Sequence, residues 1–235
     1  ITSFAGGGSS YADGIPATDA ALWANNGVCV DAAGNVYIAD LNNNRICKVT
    51  TSGLCYTICG DGTAGYTGDG GAATAARTNM PAFVQVDQAG NLFFSDHSNH
   101  VVRKINTSGV ITTVAGNGIL GNSGDGGAAT AANLSLPAGL FISPTGDLYF
   151  CAQGYGVTKK VTATAITITG ASNICTGATT TFTAATPGAV WSSSNPSVAT
   201  VNPATGVVTG VSAGTATISY VMGLGFGTAS ITIDP

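Results

Sequence analysis

Short apolar runs, separated by glycine-rich or polar turns, follow one another along the whole chain. In residues 36–39, Val, Tyr, Ile and Ala alternate in the way that is typical of a strand buried on one side. A turn at 33–35 separates this run from an earlier apolar run at 28–30, and a polar loop separates it from a later one at 45–49. The pattern therefore predicts short antiparallel strands and an all-β fold.

The strand pattern repeats every 56 residues, as the aspartates Asp13, Asp69 and Asp125 show. Each repeat opens with an outer strand (1–5, 55–59 or 111–115), continues into a glycine-rich loop and then carries three further strands. Four antiparallel strands per repeat are typical of a propeller blade, so we expect three blades. Three blades are too few to close a propeller, which typically needs four to eight. Something outside the repeats must therefore cover the open ends.

The repeat region and the rest of the chain form two predicted domains. The repeats span about 1–54, 55–110 and 111–164, and an almost uncharged region follows at 165–235. Short β-rich runs with alternating residues recur in this second region, which predicts a small antiparallel β-sandwich. These runs lie at 166–169, 179–184, 198–201, 207–211, 215–220 and 229–233. We expect the first of them to supply the outer strand of the third blade as well.

The first repeat carries a recognisable pattern. Residues 31–40, together with Asn43 and the stretch Arg-Ile-Cys-Lys-Val at 45–49, resemble the NHL repeat. Repeat two keeps much of the pattern but has Val101 where the family expects Arg. Repeat three departs from it at three further positions, which are Ser143, Ala152 and Tyr155. The resemblance implies a β-propeller but no single chemistry, because such propellers mostly serve as binding or scaffolding platforms.

The second region has a resemblance of its own. Residues 191–201 and 206–216 resemble bacterial Ig-like domains of group 2, which are common in bacterial surface proteins as spacers and adhesive stalks. The resemblance implies an Ig-like sandwich. Members of this family often carry a second cysteine near the position of Phe226, whereas this chain has only Cys175 in the domain.

Composition and charge narrow the range of partners. Only 8% of the residues are charged, the net charge is −4, and the seven Lys and Arg are scattered through the repeats, which argues against nucleic acid as a partner. No run approaches the roughly 20 apolar residues of a membrane helix, which argues against membrane insertion. The six cysteines lack the spacing of a zinc site and fit an oxidising compartment better. With a start at Ile1 that lacks Met or a signal-like segment, we expect a processed piece of a secreted bacterial protein, extracellular or on the cell surface.

No residue pattern predicts catalysis or a cofactor. The glycine-rich loops lack the Gly-Lys-Ser/Thr of a phosphate loop, and neither Gly-x-Ser-x-Gly nor a carboxylate pair is evident. The loop aspartates lack the regular acidic spacing of a calcium loop, so turn chemistry explains them better. These aspartates are Asp61, Asp69 and Asp125. His97 and His100 would bind zinc only with a third ligand from elsewhere, and a solvated loop is the simpler interpretation. We therefore expect no enzymatic activity, no cofactor and no metal.

Two functions suit this organisation. The leading hypothesis is a non-enzymatic extracellular structural protein, a self-assembling subunit or segment of a bacterial surface fibre, stalk or sheath. The alternative is an adhesin-type binding module, in which a completed propeller recognises a glycan or a surface protein through its loops. The candidate ligand-facing residues are Asp40, Asn43, Asp96 and Asn99.

The start of the chain suggests how copies associate. Residues 1–6 match the outer strand and following glycine at 111–116, yet no blade precedes them. An unpaired strand invites addition to a sheet edge in another molecule. Because donor and acceptor surfaces differ, such contacts run head to tail and either propagate into a fibre or close into a ring. We expect self-association through this strand, which is made of Ile1, Thr2, Ser3, Phe4, Ala5 and Gly6.

Three cysteines are disulfide candidates. Cys47 and Cys55 lie on consecutive strands, and facing Cα atoms on such strands are roughly 4.5–5.5 Å apart, within disulfide range. We expect a cross-strand disulfide there, with two packed thiols as the alternative. Cys175 lacks a partner in its own domain, so we expect it to bond outside it or to stay a buried thiol. Its candidate partners, in the same or a neighbouring chain, are Cys29, Cys59 and Cys151.

Overall fold

The computed structural model describes residues 1–87, 89–143, 146–184, 190–222 and 224–235. They form two compact units, Ile1–Val161 and Thr162–Pro235, so the boundary lies close to the expected one at 164. Both units are built from short strands, which confirms the all-β fold class.

Blade 1 and blade 2 each carry the four expected antiparallel strands. Blade 1 contains β2 (Asn25–Val30), β3 (Val36–Asp40), β4 (Arg45–Val49) and β5 (Leu54–Cys59), and the short strand β1 (Ile15–Pro16) pairs with the outer edge of β5. Blade 2 contains β6 (Pro81–Val86), β7 (Leu92–Asp96), β8 (Val101–Ile105) and β9 (Ile111–Ala115). The outer strand at the start of repeats two and three thus completes the blade of the repeat before it.

Blade 3 differs from the other two. It contains β10 (Pro137–Ile142), β11 (Leu148–Ala152) and β12 (Val157–Val161), and among the described residues no fourth strand joins its sheet. The expected outer strand at 166–169 pairs within the second unit instead. There the amide of Ile166 donates to the carbonyl oxygen of Phe226 at 2.8 Å, and Ile168–Thr169 pairs with the strand Thr183–Ala184. The expectation for the third blade was therefore wrong, because the Ig-like unit uses this segment.

Apolar side chains fill the junctions between blades. Ala39 and Ile46 of blade 1 pack with Leu92 and Phe94 of blade 2 in one buried cluster. Phe94 has no exposed surface, and truncating such a side chain to Ala typically costs about 3–5 kcal/mol. Gly27 allows the two inner strands to approach, because a Cβ at this position would lie 2.6 Å from the Cα of Phe83.

Within the described residues, six short 3-10 helices lie at two repeated places in the blades. One set follows the glycine-rich loops: Ala17–Asp19, Ala73–Ala75 and Ala129–Ala131. The other set joins the second and third strands of each blade: Leu41–Asn43, His97–Asn99 and Gln153–Tyr155.

The second unit is a sandwich of short sheets. One sheet has the order β14-β21-β20-β17, a second has β15-β19-β18, and β13 pairs with β16. The strands are β13 (Ile168–Thr169), β14 (Asn173–Cys175), β15 (Thr179–Thr181), β16 (Thr183–Ala184), β17 (Val190–Ser193), β18 (Ala199–Val201), β19 (Val207–Gly210), β20 (Gly214–Met222) and β21 (Gly225–Asp234). The expectation was an antiparallel sandwich, but the β14–β21 pair is parallel. Trp191 lies at its centre, with ring centroids 4.4 Å from Tyr220 and 6.3 Å from Phe182.

Candidate functional site

The open edge of blade 3 is the main candidate site. In blade 2, every residue of β8 is buried because β9 covers its edge and blades flank both of its faces. In β12, the corresponding strand of blade 3, half-buried and exposed residues alternate, and Thr158 and Lys160 are exposed. The backbone groups on this edge can accept a strand.

The predicted assembly strand is not a strand in the structure. Residues 1–5 form no strand, and Ile1 and Phe4 are exposed, because the described residues provide no blade for them to complete. The amide of Gly6 donates to the carbonyl oxygen of Ala17 at 2.8 Å, as Gly116 does to Ala129 at 2.9 Å. Ala17 follows Gly6 by 11 positions and Ala129 follows Gly116 by 13, so the first loop is two residues shorter. When this two-residue difference is allowed for, residues 1–5 align with the outer strand at 111–115.

The loop aspartates hold outer strands and turns in place. Asp13 accepts a hydrogen bond from the amide of Thr57 at 2.6 Å, and Asp69 accepts one from the amide of Thr113 at 3.1 Å. In blade 3, Asp125 pairs with the Nζ of Lys159 at 2.6 Å.

Asp61, the remaining loop aspartate, accepts from the amide of Thr63 and pairs with Arg77. Within the described ranges, no group of three or more His, Cys, Asp or Glu side chains is placed to hold a metal ion.

Asp40 and Asn43 were expected to face a ligand, but Asp40 lies inside blade 1 and Asn43 is half-buried beside it. Asp40 is fully buried and accepts hydrogen bonds from the amide of Trp23 at 2.7 Å and from the Nε of Arg45 at 2.8 Å. Asn43 donates to Asp40 and to the carbonyl oxygen of Ala21. Both side chains therefore position the strand entering the blade, and the ligand-facing interpretation is corrected.

Asp96 and Asn99, the corresponding pair in blade 2, are also buried. Asp96 accepts from the amide of Asn79 at 2.7 Å, and Asn99 donates to the carbonyl oxygen of Gly65 at 2.7 Å. Burial raises the pKa of Asp96 to about 6, although the surrounding donors, Arg103 among them, act in the opposite direction. This pair too is structural and does not face a ligand.

Sequence reasoning missed the role of Arg103. Val101 occupies the position of Arg45, but Arg103 follows two residues later, on the same face of the strand. Its guanidinium binds Asp69 at 2.7 Å and the carbonyl oxygens of Thr67 and Arg77 at 2.8 and 2.9 Å. The period of two along a strand is the signal that could have revealed this substitution.

The two histidines lie beside blade 3 and not on a solvated loop. His100 Nδ1 accepts from the amide of Leu136 at 3.4 Å, and His97 hydrogen-bonds Gln153. Burial lowers the pKa of both imidazoles, so the neutral forms are favoured. The pair packs at a blade junction.

All six cysteines are thiols in the structure. Cys47 and Cys55 hydrogen-bond each other, which raises the pKa of Cys47 and lowers that of Cys55 to about 7. They do not face each other, however: Cys55 stands opposite Val49 and Cys47 stands opposite Thr57. A disulfide would join a diagonal pair and not a facing one, and it stays a prediction.

Cys175 is exposed and so not the buried thiol of the alternative interpretation; its bond to another cysteine also stays a prediction. Among its candidate partners, Cys151 is exposed, whereas burial raises the pKa of Cys29 to about 11 and that of Cys59 to about 12. A thiolate is needed for exchange, so Cys151 is the most accessible candidate.

Comparison with known proteins confirms both family resemblances. Residues 26–49 match the NHL repeat, and residues 59–122 match the teneurin NHL domain. Residues 157–233 match the bacterial Ig-like domain of group 2. The chain therefore carries NHL-type repeats followed by a group 2 Ig-like domain.

Three similar proteins are each longer than this chain. Teneurin-1 of Gallus gallus is 31% identical over 130 residues, which is 47% of this chain and 5% of that protein. A protein of unknown function from Bacteroides thetaiotaomicron is 25% identical with a TM-score of 0.48, over 54% of this chain and 32% of its own. An auxiliary nutrient binding protein from the same organism is 22% identical with a TM-score of 0.49, over 59% of this chain and 37% of its own. The chain thus spans about a third of each of these two solved structures.

The most distinctive feature of the repeat unit is the open outer edge of blade 3. The described helices include none that is long and apolar enough to cross a membrane. What the described residues present to solvent is an unpaired strand edge on blade 3 and a segment at 1–5 with the residue types of an outer strand.

Proposed function

We propose that this chain is a non-enzymatic extracellular structural module that associates with further copies of itself, as a subunit or segment of a bacterial surface fibre, stalk or sheath. The observation that supports this most is the third blade, whose sheet has three strands within the described residues. Phe141, on the inner strand of that blade, is 57% exposed. Exposed apolar surface on a blade whose outer strand edge is open marks an interaction site.

The surface location is supported by the second unit. Group 2 bacterial Ig-like domains are common spacers in bacterial surface proteins, and residues 157–233 match that family. The six cysteines fit an oxidising compartment. The Ig-like unit then acts as the spacer and the repeats as the associating part.

Light scattering over a concentration series tests the proposal. We expect the mass to rise with concentration for the natural chain, and Phe141→Asp to abolish the rise by placing a charge on the exposed face. Ile119→Asp is the matched control, because Ile119 is equally exposed, at 58%, but lies in a loop. Monomers at every concentration, or association that Phe141→Asp leaves unchanged, would contradict the proposal.

Ligand binding by a completed propeller is the second candidate function, and two exposed tyrosines favour it. The ring of Tyr11 lies 5.1 Å from the guanidinium of Arg45, and that of Tyr66 lies 5.4 Å from the guanidinium of Arg103. Both rings are held in place yet accessible, as an aromatic platform for a sugar or a peptide requires. A glycan array tests this: Tyr66→Ala should lose any binding, Tyr56→Ala should keep it, and absence of binding by the natural chain would count against it.

A further inference from the structure

We propose that a second copy of this chain completes the third blade, so that two chains close one six-bladed propeller. Residues 1–5 of each copy become the fourth strand of the other copy's third blade. The inference rests on the self-association proposed above and names its partner, its contact and its stoichiometry.

Blade 2 shows what holds a fourth strand. The strand β9 lies between β8 and the loop that contains Asp69. The amide of Gly70 donates to the carbonyl oxygen of Ile111 at 2.8 Å, and the amide of Ile111 donates to that of Gly71 at 3.0 Å. Asp69 accepts from the amide of Thr113 at 3.1 Å. A fourth strand therefore has hydrogen-bonding partners on both of its edges.

Blade 3 has the same ion pair between the third strand and the glycine-rich loop as blade 2. Lys159 occupies the position of Arg103 and holds Asp125 at 2.6 Å, as Arg103 holds Asp69 at 2.7 Å. The amides of the loop after Asp125 and the outer edge of β12 therefore bound the place that β9 fills in blade 2. Within the described residues this place holds no strand.

Residues 1–5 have the sequence and the register of the strand that is needed. Ile-Thr-Ser-Phe-Ala at 1–5 matches Ile-Thr-Thr-Val-Ala at 111–115. The Gly6–Ala17 hydrogen bond reproduces the bond that follows β9, so the glycine after each segment is held in the same way. The register of β8 and β9 pairs Lys104 with Thr112, which predicts Thr2 opposite Lys160 of the other copy.

The two open faces of the chain also match each other. At the junction of blades 1 and 2, Cys29 packs with Val84 and Val86. The equivalent of Cys29 in blade 3 is Phe141, and the equivalents of the two valines in blade 1 are Val28 and Val30. Phe141 is 57% exposed, Val28 is 65% exposed and Val30 is 60% exposed. Packing blade 3 of one copy on blade 1 of the other buries all three.

A lysine over an aromatic ring supports the same register. Lys48 lies 5.6 Å from the ring of Tyr37, and Lys104 lies 5.5 Å from that of Phe93, each on the face that packs against the next blade. Lys160 and Tyr149 repeat this pair at 5.5 Å on the open face of blade 3. The open face is thus built like the two faces that are packed.

The stoichiometry follows from the blade count. Propellers typically close with four to eight blades. Copies with three blades each give totals of three, six or nine, so only two copies, with six blades, fall within that range. A junction that repeats the internal ones therefore closes at two copies. Growth of such closed pairs into a fibre then needs a second junction, of different geometry.

Disulfide trapping between two different variants tests the contact. Thr2→Cys and Lys160→Cys chains are mixed, oxidised and mapped by peptide mass spectrometry, which separates the new bond from bonds of the exposed Cys151 and Cys175. We expect a disulfide between the two introduced cysteines, joining one chain to the other, and a complex of two chains in light scattering. Thr158→Cys replaces Lys160→Cys in the control, because it lies out of register with Thr2 and should form no bond. Deleting residues 1–5 should weaken association about 100-fold or more, through the loss of several backbone hydrogen bonds.

The outcomes separate this inference from the proposed function. A trapped bond in complexes larger than two chains would overturn closure at two but keep the proposed function. Association without the trapped bond, unchanged by the deletion, would overturn strand donation and also keep the proposed function. Monomers throughout would overturn both.

Discussion

Arg103 binds Asp69 at 2.7 Å although it stands two residues later in its blade than Arg45 does in blade 1. The shift keeps the guanidinium on the same face of the strand. Arg45 forms an ion pair with the buried Asp40, whereas Arg103 forms ion pairs with both the half-exposed Asp69 and the buried Asp96. The distance from Arg103 Nη1 to Asp96 Oδ2 is 3.4 Å. The guanidinium of Arg103, on the third strand of blade 2, thus binds both the loop that contains Asp69 and the second strand, which contains Asp96.

Removing that charge should destabilise the repeat unit. Arg103→Leu leaves Asp96 buried without its counter-charge, and breaking a buried pair in this way typically costs about 3–5 kcal/mol. Urea unfolding measures the loss. Arg77→Leu is the control, because the exposed pair of Arg77 with Asp61 should contribute no more than about 1 kcal/mol. Equal losses in the two variants would contradict the role given to Arg103.

The raised pKa of Asp96 predicts a pH dependence. The folded chain binds this proton up to pH about 6, whereas an unfolded aspartate has a pKa near 3.8. The stabilisation of the fold by this bound proton is therefore present in full below pH about 4 and is lost as the pH rises to about 6. The free energy of unfolding changes by about 3 kcal/mol over that range. The free energy of unfolding of the natural chain, measured relative to Asp96→Asn, should fall over this range. A rise over the same range would show that Arg103 lowers the pKa instead.

Asp69 and Asp125 are equivalent in sequence but should respond differently to the same change. Asp69→Ala removes a carboxylate that binds Thr113 and Arg103 within the chain, so unfolding should become easier by about 1–3 kcal/mol. Asp125→Ala should change the stability of the isolated chain by less than about 1 kcal/mol, since its pair with Lys159 is at the surface.

Asp125→Ala should, however, weaken association about 10-fold, because the carboxylate is expected to bind the amide of Ser3 in the other copy. Analytical ultracentrifugation of the two variants makes the comparison. If Asp125→Ala associates as the natural chain does, the strand does not occupy this place.

A glycine in blade 3 offers a gain of affinity. Two hydrogen bonds cross the internal blade junctions at equivalent positions. Asn44 Oδ1 accepts one from the backbone amide of Met80, and His100 Nδ1 accepts one from that of Leu136. Gly156 holds the equivalent place, with a φ of 64° that asparagine tolerates. Gly156→Asn should therefore tighten association about 2- to 10-fold through one added hydrogen bond. Gly177→Asn, at another left-handed glycine, should leave it unchanged.

Much of the fold could be predicted from the sequence because it depends on local patterns. The 56-residue period places three strands in every blade and the outer strands of blades 1 and 2. The alternation along residues 36–39 predicts a strand buried on one side, but β3 is buried on both, because Ala39 packs on blade 2 and Ile38 packs in a second cluster on the opposite face. The outer strand of blade 3 could not be predicted this way. Residues 166–169 have the right composition for either sheet, and only packing in the Ig-like unit, through Phe226, decides between them.

The candidate site was harder to predict than the fold. Asp40 and Asp96 stand in polar loops and suggest a solvent-facing surface, but the backbone amides of Trp23 and Asn79 draw both carboxylates into the blade. Such contacts join positions 17 residues apart through loop geometry, which strand periodicity does not report. The matching exposed faces, with Val28 and Val30 on blade 1 and Phe141 on blade 3, depend on burial in the fold, which the residue types alone do not specify.

Counting blades in end-on views by electron cryo-microscopy tests the central claim most directly. If two copies complete each other, class averages of the natural chain will show closed rings of six blades, and deletion of residues 1–5 will leave open arcs of three. Rings with another number of blades, continuous filaments of unclosed chains, or arcs of three from the natural chain at concentrations where light scattering shows association would contradict closure of one propeller by two copies.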